Sequence, residues 1–176
     1  MADVKHSVFE SSLLRATRAG HILNLEAISD CDNGTVWAKG DKATTPFSRE
    51  VYKAKAVTAK DPVYVIGSVP VLPRAVTKAE KDETNFYNVT GSTMRAYALE
   101  RDDQFVVSES LIKPLSSNVV VGNSVIADAS KAGYYEEKTP AGEGSVAFIA
   151  TIREVIKVGH GKDAYNKVRL EVVKNA

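Results

Sequence analysis

Short, β-branched apolar runs closed by turn residues recur along this chain, and in some of them apolar and polar residues change places at a spacing of two. That period sends successive side chains to opposite faces of an extended strand, whereas a helix repeats its apolar positions every three to four residues. The end of the chain is the clearest case. "SVAFIATIREVIKV" predicts one long strand, and "NKVRLEVV" sets Val168, Leu170 and Val172 against Lys167, Arg169 and Glu171. "GHGK", Gly159 to Lys162, then reads as the loop of the hairpin between them.

Upstream the pattern continues in shorter pieces. "HILNLEAI" alternates in part. Asn33-Gly34 precedes Thr35-Val36-Trp37, and an Asn-Gly pair predicts a hairpin because both residues accept positive φ. "REVYKAKAV" is a further candidate strand. "PVYVIGSVPVL", Pro62 to Leu72, is apolar on both faces and predicts a strand buried on both sides, with Pro70 at its end, at a bulge or on an edge. A polar connection follows, with a short helical turn expected at "TKAEKDE". "RAYAL" and "QFVVS" flank the polar turn Glu100-Arg101-Asp102-Asp103. "NVVVGNSVIAD" gives two Val-rich pieces around Gly122-Asn123, and "KAGYYEEKTPAGEG" reads as loop.

The fold class expected is therefore mainly β, an antiparallel β-barrel or sandwich. Strands do not alternate with long amphipathic helices, which argues against a doubly wound α/β fold. Residues 1–19 mix Ser, Ala and Arg and predict an N-terminal arm or a short helix around "ESSLLRATRA"; residues 20–176 are expected to form a single mostly-β domain.

Composition narrows the function classes. Hydrophobic residues make up 44% of the 176 and charged residues 26%, a globular balance with enough chain for a real core. Lys and Arg number 23 against 22 Asp and Glu, so the basic excess expected of a nucleic-acid binder is missing. The single cysteine, Cys31, excludes an internal disulfide and any multi-cysteine metal site. The first twenty residues lack the apolar core of a signal peptide and no run has the length of a membrane span, so the expectation is a protein made in the cytoplasm with no membrane partner.

The search for chemistry finds no constellation. In "GHGK" the glycines are two apart, Asp163 follows Lys162, and no helix pattern comes next, unlike a Walker loop. His6, His21 and His160 have no metal-ligand spacing among them. Cys31 lies between Asp30 and Asp32, whose charge disfavours a thiolate. Asp30, Asp32 and Asp41 do not match a calcium loop, and Asp102-Asp103 reads as a solvated turn. Ser108 and Ser110 have no recognisable base. No cofactor and no catalytic residue is expected. Phe86, Tyr87, Tyr97 and Phe105 read as core or interface residues; on an alternative reading, an OB-like barrel, Tyr87, Tyr97 and Phe105 would share an exposed groove for single-stranded nucleic acid or an oligosaccharide.

The run "DNGTVWAKGD", "REVYKAKAV", "DPVYVIGSVPVL", "FYNVTGSTMRAYALERDDQFVVSESLI", from Asp30 to Ile112, resembles the head decoration (cement, or auxiliary capsid) proteins of tailed bacteriophages. The resemblance rests on the Asp-Asn-Gly turn, the strand ending near Pro-Val-Leu, the Phe-Tyr-Asn segment and the Arg-x-Tyr-x-Leu strand leading through a charged turn into Phe-x-Val-Ser, with an echo in the final hairpin. It departs at Asp102-Asp103, where a Gly-Asp pair is expected, which bears on turn geometry rather than function. The resemblance implies a non-enzymatic virion protein on the outer surface of the capsid, made in the host cytoplasm. Its implied partners are the major capsid protein and copies of itself. The N-terminal arm would then reach the partner through Val8, Phe9, Leu13 and Leu14.

Overall fold

The alternating segments form strands in the computed structural model, which describes residues 5–19, 21–44, 50–58, 60–70, 82–128, 132–138, 146–160 and 164–176. In chain order the strands are β1 (Phe9–Glu10), β2 (Ile22–Glu26), β3 (Val36–Lys42), β4 (Val51–Lys55), β5 (Val63–Ile66), β6 (Thr93–Ala98), β7 (Gln104–Ser108), β8 (Ile112–Lys113), β9 (Ser124–Ala127), β10 (Tyr134–Glu137), β11 (Phe148–Val158) and β12 (Tyr165–Asn175). A single helical turn, α1 (Ala16–Ala19), and two 3₁₀ turns, Glu83–Asn85 and Glu109–Leu111, complete the described elements.

The strands form two sheets. Five close into a barrel in the order β2-β4-β3-β5-β6, and seven form a sheet in the order β1-β7-β12-β11-β9-β10-β8. Pairing is antiparallel except for β2 with β4 and β8 with β10. The chain is mainly β, as the pattern predicts.

The alternation explains how the two sheets meet. Along β5, Val63 and Val65 enter the large core under the seven-stranded sheet, while Tyr64 and Ile66 face the barrel interior. β3 divides its side chains the same way, with Val36 against Trp37, and β6 divides Met94 and Ala96 from Tyr97. These strands are a wall between two cores, which is why β5 is apolar on both faces. At the far end of β12, the Asn175 amide donates to the carbonyls of Val63 and Leu99, both at 2.9 Å, and accepts from the Val63 amide at 2.8 Å.

Several expectations are corrected. The β5 strand stops at Ile66, well short of Pro70, and Leu72 lies outside the described residues. Asn33-Gly34 turns the chain with Gly34 at φ +87°, yet the strands on either side of it, β2 and β3, are not paired with each other. Asn33 instead works as a clasp: its side chain accepts from the Ser68 amide at 3.0 Å and donates to the Ser68 carbonyl at 2.9 Å. Of the pair only Gly34 takes positive φ, and the partner that Asn33 holds lies beyond the next strands. "YYEE" within the segment read as loop is β10, its alternation hidden by a buried glutamate, Glu136. The helical turn expected at "TKAEKDE" falls mostly outside the described residues; its end joins the 3₁₀ turn at Glu83, where the Asp82 side chain accepts from the Thr84 amide. The final hairpin is as predicted, paired from Phe148↔Asn175 to Val158↔Tyr165, and residues 161–163 of its loop are outside the described set.

Candidate interaction surface

The N-terminal segment is built into the body. Val8 and Leu14 are buried, and Phe9 packs on the large core. β1 adds to the seven-stranded sheet through Phe9↔Val107 and Glu10↔Val106. Upstream, the His6 amide donates to the Thr84 carbonyl at 2.7 Å, and the Asp32 carboxylate accepts from the His6 ring at 2.7 Å and from the Ser7 amide at 2.8 Å. The His6 ring stacks on Tyr87 with centroids 4.6 Å apart. Gly67 makes room for this path: a Cβ there would lie 2.5 Å from the Phe9 ring and 2.7 Å from Tyr97. Of the four residues expected to meet a partner, only Leu13 is open to one, at 54% exposure. Val8, Phe9 and Leu14 spend their apolar surface on the chain's own core.

Several of the residues weighed for chemistry are built into the architecture. The Cys31 thiol is buried and lies 3.3 Å from the Met94 sulfur; burial, reinforced by the Asp32 and Asp30 charges, pushes its pKa up to about 11, so it is a poor nucleophile. A cleft of about 480 Å³ opens beside it between Asp30, Trp37, Val57 and Leu111. Asp30 is occupied by Thr90, whose amide and hydroxyl hydrogen bonds hold its carboxyl below the usual range. Asp103, read as a solvated turn residue, is fully buried: its carboxylate accepts from the amides of Arg15 (3.0 Å) and Glu100 (2.8 Å), while its carbonyl accepts from Val172. The turn therefore fastens α1 and β12 to the end of the barrel. Asp102 beside it takes φ +69°, the left-handed geometry for which glycine is suited. Ser108 and Ser110 hydrogen-bond Val8 and Ser7 of the N-terminal segment, and His160 sits exposed at the tip of the last hairpin. Among the described residues, no group of three or more His, Cys, Asp and Glu side chains is placed to hold a metal ion.

The aromatic groove expected of an OB-like barrel does not assemble. Tyr97 and Phe105 are buried, and with Phe9, Tyr134 and Phe148 they make a chain of ring contacts through the large core, centroids 5.7 to 6.4 Å apart. Only Tyr87 of the three reaches the surface. Tyr134, whose pKa burial pushes well above the phenol range, donates its hydroxyl to the Gly34 carbonyl at 2.9 Å.

Three exposed apolar side chains lie on the loop between β8 and β9. Leu115 (62% exposed), Val120 and Val121 (55%) point outward, while Val119 turns into the core. The loop is held from beneath by Glu136 of β10. This buried carboxylate accepts from the Leu115 amide at 3.0 Å, the Val120 amide at 2.9 Å and the Asn123 side chain at 2.7 Å. At the loop's exit, Gly122 and Asn123 exchange backbone hydrogen bonds with Ile152 of β11. A loop so tethered has little left to lose in ordering entropy when it meets a surface. The sequence held one signal for it, the unbroken "VVV" before Gly122; the tether was invisible because Glu136 reads as a loop charge.

No family model, curated protein or solved structure matches this chain.

Proposed function

We propose that this chain is a viral structural protein, an auxiliary capsid (decoration) protein that binds the outer surface of a phage head and stabilises it without catalysis. The observation that carries the reading is the tethered loop: three exposed apolar side chains, Leu115, Val120 and Val121, are offered on a backbone pinned by one buried carboxylate. Contiguous exposed apolar patches mark interaction sites, and these three side chains lie on one short loop. The resemblance across Asp30–Ile112 supports the major capsid protein as the partner, with other copies of the same chain as neighbours.

Binding works by burial. Each of the three side chains is already about half shielded, so removing the rest from water gains about 1 kcal/mol apiece, before the cost of association is subtracted. Capsid symmetry repeats the contact at every equivalent site, so a modest contact per copy bridges many subunits. The test is co-sedimentation of purified protein with expanded heads. Saturable binding is expected, and Val121→Asp should lose it while keeping the parent melting temperature. No association of the parent protein with heads, together with its absence from virions, would overturn the reading.

A further inference from the structure

A second cleft, of about 560 Å³, lies on the outer wall of the barrel, away from the tethered loop. Its floor is the β2–β6 pair, where Asn24 and Arg95 stand opposite each other and are both exposed. One wall is Ser68-Val69, following β5; the other is the segment carrying Tyr87 and Val89. Both walls are fixed by the same short stretch. Asn33 clasps the Ser68 backbone, and Cys31 pairs with Asn88 through two backbone hydrogen bonds of 2.9 and 2.8 Å. The Tyr87 ring is set in place by its stacking on His6. The site is therefore formed in the free protein, and its volume lies within the range of small-molecule sites.

The chemistry of the lining selects a ligand class. Arg95 is the one charged side chain in it, and among the described residues its guanidinium makes no ion pair. Around it stand side chains that both donate and accept, Asn24, Ser92 and Thr93, together with the apolar faces of Tyr87, Val69 and Val89. A peptide would normally take such a wall by adding a strand, but the barrel is closed and β2 and β6 are paired on both sides, leaving no backbone edge. A nucleic-acid strand needs a track of cations along its phosphates, and one arginine is no track. Dense hydroxyl groups, a C–H face to lie on an aromatic ring and one carboxylate for a guanidinium match the lining best.

We propose that this cleft binds an acidic sugar, a pyranose bearing a carboxylate within a short oligosaccharide, with Arg95 on the carboxylate and Tyr87 beneath the ring. This inference does not depend on the capsid reading. The test is titration calorimetry with trigalacturonate, a glucuronate-containing disaccharide and sialyllactose, alongside the methyl ester of each, which keeps the shape and removes the charge. At least one acid should bind saturably and about tenfold more tightly than its ester, the scale of one charge-assisted contact. Arg95→Gln should erase that difference while the ester's affinity and the melting temperature stay at parent values. Tyr87→Ala should weaken acid and ester together. Absence of saturable binding by all three acids, equal binding of acid and ester, or an acid preference that survives Arg95→Gln would each overturn the proposal.

Discussion

The barrel interior and the core under the seven-stranded sheet solve the same packing problem with different side chains. Inside the barrel, Ala27, Ala54, Ala96 and Cys31 surround Leu25, Trp37, Ile66 and Met94. Under the sheet, Phe105, Tyr134 and Phe148 are joined by Leu14, Ile152 and Leu170. Five short strands closed on themselves enclose little space, and four of those eight buried side chains are small. The open sheet has to fill the gap to the barrel wall and needs large rings to do so. Edges differ as well. Closure removes them from the barrel, whereas the sheet ends in two-residue strands, β1 and β8, which give another chain little to pair with.

The comparison predicts opposite sensitivities. Phe148→Ala should cost about 3–5 kcal/mol in denaturant unfolding, the range for truncating a buried ring, whereas Ala96→Leu should cost about 1–3 kcal/mol by overfilling the barrel. A larger penalty for Ala96→Leu than for Phe148→Ala would break the contrast. At the seam between the regions, Asp103→Ala leaves the amides of Arg15 and Glu100 without their acceptor and should cost about 2–3 kcal/mol. Its neighbour behaves differently: Asp102→Gly relieves a positive φ and should shift stability by less than about 1 kcal/mol, with a melting temperature no lower than the parent's.

Glu136→Gln sharpens the account of the tethered loop. It keeps one acceptor oxygen and turns the other into a donor facing an amide, so stability should fall by about 1–2 kcal/mol. Amide exchange should speed up at Leu115 and Val120 and leave the barrel unchanged. The smallest effect concerns pH. Asp30, Asp82 and Glu171 have folded-state pKa values lowered respectively by the Thr90 amide, the Thr84 amide and the Arg153 side chain. The unfolded chain therefore takes up protons first, and the stability these groups give is fully present above about pH 5 and lost as pH falls through their folded values. Thermal melts from neutral to acidic pH should be flat until about pH 5 and fall below it; a fall beginning near neutrality would point to other groups.

Strands with partners close in sequence were legible. β11 and β12 declared themselves by length and alternation, and the two apolar faces of β5 were visible before there was a reason for them. What failed has a common cause, long-range pairing. Phe9 looks like part of a loose arm until Val107 is beside it. Asp103 and Glu136 look solvated because charge normally means water, and only the fold supplies the amides that take water's place. In the candidate site, the apolar run before Gly122 was visible and its tether was not. Tyr97 and Phe105 are core residues, as their first reading had it, on strands of two different sheets.

The N-terminal segment is a fixed part of the body, and the tethered loop is what we propose makes the contact. Hydrogen exchange on the free protein and on protein bound to expanded heads tests both at once. The amides of His6, Ser7 and Val8, bonded to Thr84, Asp32 and Ser108, should be protected already in the free protein. On binding, protection should rise in residues 115–121. Rapid exchange of residues 6–10 in the free protein, with protection gained there on heads and none in the loop, would contradict it.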